Sequence, residues 1–234
     1  MKKNNRVGEK RYNNQGLLME IIEYNKAIDI KVKFVKSGYI CKCRYGNFQR
    51  GMVYDKLYPT VCNLGYIGNT TTSENRKPKK SYKIWVDMLH RCYDKLYKTY
   101  IDCSVCDEWL CYANFEKWYN ENYYEIPNEK MCLDKDILIK GNRIYSPNTC
   151  IFAPNNINIL FTKNDGYSYV KNKNAYIVYG NDKGKTLYLG YFKTQQEARL
   201  IYKKYKEDHI KNIANKYKNI IPLKLYRAMI TYDV

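Results

Sequence analysis

The sequence predicts an α+β protein, and three observations carry that prediction. Residues 16–54 alternate apolar and polar side chains between separators rich in Gly and Asn. Trp85, Met88, Leu89, Cys92 and Tyr93 recur at helical spacing. Twice, at 131–161 and at 166–218, a set of strand-like stretches runs into a helix-like one. Strands and helices thus come in separate runs, with a small N-terminal β module, a helical and ββα core, and a C-terminal three-stranded sheet plus helix.

In chain order, residues 1 to about 12 are basic, polar and Asn-rich and predict a loose arm. Four short strands follow, at 16–22, 28–35, 38–43 and 51–54, separated by Asn13-Asn14, Ser37-Gly38 and Tyr45-Gly46-Asn47. They make residues 1–64 a small antiparallel, barrel-like β module. Lys31, Lys33, Lys42 and Arg44 on it are either nucleic-acid contacts or the solvated face of a sheet. Small polar residues and a basic end make 65–80 a linker, and its Arg76, Lys77, Lys79 and Lys80 read equally as a solvated tether or as a run along a DNA backbone.

Ser81 is placed to cap the helix that carries Trp85 to Tyr93. Phe115, Trp118, Tyr119 and Tyr123 form a second apolar-periodic stretch, whose aromatics are expected to pack the core of residues 81–163. Residues 131–136, Met-Cys-Leu-Asp-Lys-Asp, predict a strand ending in carboxylates. A Gly141-Asn142 turn, a second short strand and a helix begun by Pro154 come after it. Beyond Gly166, strands at 167–171, 175–179 and 186–192 are broken at 172–174 and 180–184. Thr194 then opens a helix with Glu197 completing a capping box, and Ala198, Ile201, Tyr202, Tyr205, Ile210, Ile213, Ala214 and Tyr217 as its stripe. This organises 166–218 as one unit, with 219–234 a tail whose apolar residues dock back on the body.

Lys and Arg number 41 against 23 Asp and Glu, a net charge of +18, and there are 27 Tyr. That combination points to a polyanionic partner, and to nucleic acid rather than a bare membrane surface. No apolar run is long enough to span a bilayer and no apolar segment follows the basic first residues, so a cytoplasmic protein with no membrane partner is expected. Nine Cys are then reduced thiols. Charge is uneven: residues 100–136 carry nine acidic side chains against three lysines, whereas 161–218 carry thirteen basic against five acidic. The C-terminal part is the electrostatic anchor, while the middle needs a cation to approach a phosphate. Cys103 and Cys106 form one CxxC pair; with Cys132 and Cys150 they are a conceivable zinc site, against the default of buried thiols. His90 and His209 fall on helical patterns as ordinary surface or core residues.

Residues 131–161 resemble the ββα-metal core of HNH nucleases, as found in phage-encoded homing endonucleases, on the strength of Leu133-Asp134-Lys135-Asp136, the Ser146-Pro147-Asn148 turn and Ile157-Asn158. The Trp85, Arg91-Cys92-Tyr93, Cys106-to-Trp109 and Asn114-Phe115 pattern extends the resemblance over 81–163. It implies a phage-encoded protein acting in the cytoplasm of a bacterial host, with Mg²⁺ or Mn²⁺ held by Asp134 and Asn158 and with Asn148 as the central Asn. Lys135 stands where that family has its general-base His. Since Lys is protonated near neutral pH, it serves there as a phosphate contact, leaving activation of water to the metal or to Asp136.

Residues 166–218, with Leu189-Gly190-Tyr191-Phe192-Lys193-Thr194 leading into Glu197-Ala198, resemble the AP2-type DNA-binding domain. That likeness implies a sheet face in the major groove of double-stranded DNA, with Tyr169, Lys171, Lys173, Tyr176, Tyr179 and Lys185 as outward contacts. The N-terminal stretch 28–39 is similar to the small module that precedes this nuclease core in phage proteins. Two functions stay open: a sequence-directed, metal-dependent endonuclease, or a DNA-binding regulator or competitor with a degenerate nuclease core. A third is a protein-binding inhibitor using the acidic middle.

Overall fold

The computed structural model describes residues 6–182 and 184–234, which form two compact units divided between residues 120 and 121. Five residues of the expected N-terminal arm and Lys183 of the expected 180–184 break lie outside the described residues. The α+β class holds, with several small sheets and no barrel.

In the first unit, β1 (Lys10–Tyr12), β2 (Leu18–Lys26), β3 (Asp29–Phe34) and β4 (Ile40–Cys43) form an antiparallel sheet in sequential order. Met19 opposite Phe34 and Ile21 opposite Val32 share its buried face, where α1 (Tyr45–Gln49) adds Tyr45 and Phe48. The sheet is open rather than barrel-like, because the short helix and the chain around Val53 cover its apolar face without closing it. Residues 51–54 are not a strand; the fourth strand is β1, inside the stretch expected to be a loose arm. Its three residues are all exposed, so no apolar alternation marks it. On the outer face Lys10 pairs with Glu20 and Lys31 with Glu23, the cross-strand pattern of a solvated surface.

Residues 65–80 are not an extended tether. Gly65 lies so close to Trp85 and Leu89 that an added Cβ would meet the Leu89 methyl at 2.4 Å. A two-residue ladder joins β5 (Ser73–Glu74) to β6 (Lys77–Pro78). Then α2 (Lys80–Tyr93) buries Trp85, Met88, Leu89 and Cys92 as its spacing predicts, although Lys79 and not Ser81 is the N-cap. Ser81 is buried one residue inside the helix, its hydroxyl 2.8 Å from the Tyr112 hydroxyl. After β7 (Ser104–Val105) and α3 (Asp107–Leu110), α4 (Tyr112–Asn122) adds Tyr112 and Phe115 to the core, and the Trp85 indole donates to the Trp109 carbonyl at 2.7 Å. Glu116 collects Lys79, Thr70 and Tyr112; burial works against its ionisation, yet these hydrogen bonds hold its carboxyl below the usual range.

The second unit begins with β8 (Met131–Asp134), the short β9 (Ile144–Tyr145) and β10 (Ile151–Pro154). β8 and β10 pair antiparallel, Asp134 opposite Ile151, and α5 (Asn155–Asn158) follows for a single turn. Pro154 is that turn's N-cap and still part of the strand, so the helix starts one residue later than expected. Next, β11 (Tyr167–Val170), β12 (Ala175–Asp182) and β13 (Lys185–Phe192) make a three-stranded antiparallel sheet. The 23-residue α6 (Gln195–Tyr217) crosses it, opened by the predicted capping box. Finally α7 (Leu223–Ile230) forms from the expected tail.

α6 has two packing partners. Ala198 and Tyr202 meet Val178 of the sheet, whereas Ile210 and Ala214 join Ile151, Ala153 and Ile157 of the strand-helix motif and Leu225 and Met229 of α7. Between them Lys206 occupies the buried line, its ammonium donating to the Thr162 carbonyl at 2.9 Å; burial, and then Lys140 nearby, lower its pKa. Two glycines let the helix approach. A Cβ at Gly166, whose φ is +66°, would fall 2.0 Å from the Tyr202 ring, and one at Gly180 would fall 2.3 Å from the Tyr205 ring. Gly180→Ala should therefore destabilise the protein by about 1–3 kcal/mol, the range for overpacking a filled site, as read from urea denaturation. An unchanged midpoint would show that the Tyr205 ring yields freely.

Candidate functional site

Asp134 ends β8, and the chain turns at once beneath it: its Oδ1 accepts the backbone N–H groups of Asp136 and Ile137, both at 2.8 Å. The turn sinks the carboxylate, and burial, reinforced by the nearby Asp136 charge, pushes its pKa up to about 6. The Lys135 ammonium stands 3.6 Å from the Asp136 carboxylate and 5.8 Å from the Tyr145 ring centroid, with a side chain 12% exposed. Asn142 fastens the loop by donating to the Lys135 and Ile144 carbonyls at 2.7 Å each. Asp134, Lys135 and Asp136 are thus gathered at one strand end.

Asn158 is the last residue of α5, which packs against β8. Its Oδ1 is buried without a hydrogen-bond partner among the described residues. A buried acceptor left unsatisfied costs about 1–3 kcal/mol, so the site favours anything that brings a donor or a cation to it. Asn148 is exposed in a tight turn, where the Ser146 and Thr149 hydroxyls lie 2.8 Å apart and the Cys150 N–H returns to the Ser146 carbonyl at 3.0 Å. A carboxylate and an amide carbonyl are the hard oxygen donors that Mg²⁺ and Mn²⁺ take while keeping several waters, so the donor chemistry of Asp134 and Asn158 suits such an ion. Among the described residues no group of three or more His, Cys, Asp or Glu side chains is placed to hold a metal.

The four cysteines of the conceivable zinc site are not drawn into one element. Cys103 and Cys106 belong to the first unit and Cys132 and Cys150 to the second. Cys132 stands opposite Ala153, with Cys150 before the first paired residue of β10, so the two do not face each other across the ladder. Burial raises the Cys106 thiol, the direction opposite to a ready thiolate ligand. None of the nine cysteines is in a disulfide.

The expected DNA contacts divide. Arg76 and Lys77 are exposed at the tip of the β5–β6 hairpin, where Asn75 and Arg76 have φ of +49° and +61°. Lys171 and Lys173 occupy a one-turn 3₁₀ helix between β11 and β12, the Lys173 ammonium 4.1 Å from the Tyr191 ring centroid. Tyr176 does not point outward: it packs on the Val178–Ala198–Tyr202 cluster under α6, and Tyr169, paired with it, leans over it at 5.2 Å between ring centroids. Lys185 stands opposite Asp182 at the far end of the sheet. The outer face carries Tyr179, as expected, together with Tyr188 and Tyr191. A bulge between Val178 and Tyr179 shifts the register, pairing Ile177 with Tyr191 and Tyr179 with Tyr188. Gly190 is the one signal of that bulge in the sequence; alternation counted straight through it sends Tyr188 and Tyr191 to opposite faces.

No protein family, curated protein or solved structure matches this chain. No helix among the described residues is long and apolar enough to cross a membrane.

The half-buried Asp134 sets a pH-dependent cost. Its folded value of about 6 lies above the ordinary 3.8, so the stability tied to its protonated form is complete below pH 4 and lost as pH rises through 6. Asn at this position keeps an acceptor for both N–H groups and never ionises. In metal-free buffer Asp134→Asn should be more stable than the native protein at pH 8, by up to about 3 kcal/mol, with no gain below pH 4. Urea denaturation at the two pH values reads it, and equal stability at pH 8 would mean that the carboxylate is well solvated.

Proposed function

We propose that the protein binds double-stranded DNA and hydrolyses its phosphodiester backbone with a divalent metal ion held by Asp134 and Asn158. The observation that carries this reading is the pairing of a desolvated carboxylate at the end of β8 with a buried, unpartnered amide oxygen on the helix that packs against that strand. When bound there, Mg²⁺ or Mn²⁺ supplies the positive charge that polarises a phosphoryl oxygen and lowers the pKa of bound water. Lys135, only slightly exposed, serves as a contact toward a phosphate, and Asp136 is the carboxylate that accepts a proton from water. Asn148, exposed in its turn, is free to orient the backbone. The basic surface of the second unit and the Arg76–Lys77 hairpin tip supply the counter-charge for DNA.

One observation favours the second reading, a DNA-binding regulator or competitor with an inactive core. The Lys135–Asp136 ion pair occupies both groups that could replace the missing His, so neither is a ready base.

Long double-stranded DNA incubated with the protein and Mg²⁺ or Mn²⁺ should be nicked on a denaturing gel, and Asp134→Ala should abolish nicking while leaving DNA retention intact. Retention without any nick selects the second reading; nicking that survives Asp134→Ala puts the active site elsewhere. Replacing Lys171 and Lys173 together by Ala should weaken DNA binding and flatten the log–log salt dependence by about 1–2. An unchanged slope removes both lysines from the interface.

A further inference from the structure

The three-stranded sheet of the second unit has one face under α6 and the other uncovered by any element of that unit. On the uncovered face the Tyr179, Tyr188 and Tyr191 rings are 40, 59 and 38% exposed. They form a row, with ring centroids 6.3 Å apart from Tyr179 to Tyr188 and 5.6 Å from Tyr188 to Tyr191. The bulge makes the row: without it, residues three apart on β13 could not share a face. Buried Ala175 and Ile177 support the rings from the middle strand, so their positions are set by the sheet.

Charge is concentrated at one end of the row. The Lys173 ammonium sits over the Tyr191 ring, and beside it a shallow concavity of about 210 Å³ is lined by Lys173, Ala175, Tyr191, Phe192 and Lys193. The strands themselves carry a single acidic residue, Asp182, at the opposite end and across from Lys185. They contain no Arg and no Gln, two of the side chains best suited to reading base edges in a major groove. The rings present separate apolar faces, with planes inclined by 60° from Tyr179 to Tyr188 and by 61° from Tyr188 to Tyr191; ending at two ammonium groups, they complement unstacked bases joined by phosphates. In a duplex those base faces are already stacked on one another and closed to the rings.

We infer that this face binds unpaired nucleotides of a single-stranded nucleic acid, with bases stacked on Tyr179, Tyr188 and Tyr191 and a backbone phosphate between Lys173 and Lys193. The inference rests on the nucleic-acid reading above and is independent of cleavage. It makes the sheet a holder of a melted or displaced strand rather than a reader of intact duplex.

The test uses the full chain in EDTA, with fluorescence anisotropy of a short labelled oligothymidine and of a duplex of equal length. The single strand should bind more tightly than the duplex. Tyr188→Ala with Tyr191→Ala should weaken single-strand binding by roughly ten-fold or more, because each stacked base is worth about 1–3 kcal/mol, while leaving duplex binding nearly unchanged. Tyr188→Phe with Tyr191→Phe keeps the ring faces and should retain the single-strand affinity. Both positions are exposed, and far-UV circular dichroism checks that the variants are folded.

Equal losses in the Ala and Phe pairs would overturn stacking in favour of hydroxyl hydrogen bonds. So would tighter binding of duplex than of single strand. A concentration-dependent dimer in sedimentation, abolished by the Ala pair with no change in nucleic-acid affinity, would make the face a contact between copies of the chain and overturn the inference. Duplex binding without single-strand binding overturns this inference alone, whereas binding of neither overturns the nucleic-acid reading with it.

Discussion

The second unit depends on a single constraint: one helix must bury its side chains against two different partners. Over its 23 residues, about 35 Å of helix, α6 meets the sheet with its N-terminal half and the ββα motif and α7 with its C-terminal half. Stretches that read separately as a nuclease-like core, a sheet-and-helix domain and a tail therefore share one spine. The close approach at Gly166 and Gly180 fixes the sheet end, while Ile210 and Ala214 fix the other. Lys206 marks the seam, where the buried line passes beneath neither apolar cluster and a long ammonium side chain reaches a backbone carbonyl.

The chemistry proposed at Asp134 uses the same economy. A turn that needs the carboxylate as a backbone acceptor also removes it from water, so the residue that closes the loop is held in a less comfortable charge state. The unpartnered Asn158 oxygen is a second local cost on the adjacent element. Costs left standing in a packed region commonly mark places where a ligand completes the interaction, which is the ground of the metal proposal. Lys135 departs from that logic, since its charge is already answered by Asp136.

Much of this fold was legible because apolar periodicity is a direct record of burial. Trp85, Met88 and Leu89 read as a helix face and are one; Thr194 and Glu197 read as a capping box and make both of its hydrogen bonds. What escaped the sequence had no apolar signature. β1 is an edge of three exposed residues, and the close approach at the start of 65–80 rests on Gly65, whose value lies in what it lacks, a Cβ that would strike Leu89 or Trp85. At the candidate site, Asp134 and its carboxylate neighbour were visible as residues, but the desolvation of Asp134 and the isolation of the Asn158 oxygen arise from packing. The orientation of the sheet was lost in two ways: Tyr176 and Tyr179 stand three apart on the unbroken alternation of β12, so only one of them can face outward, and an extra position in β13 brings Tyr188 and Tyr191 onto the same face.

The β5–β6 hairpin has its own bearing on how this protein would meet a polyanion. Asn75 and Arg76 both adopt left-handed backbone conformations, the geometry of a two-residue turn matched to the twist of its flanking strands. Asn tolerates that conformation with little penalty, and Arg bears more of it. A basic segment expected to wave in solvent is instead a short stiff prong, with Arg76 at the apex and Lys77 on the returning strand. Much of the backbone freedom that a tether would surrender on contact has already been given up in folding, so the prong's charges engage with a smaller entropic loss.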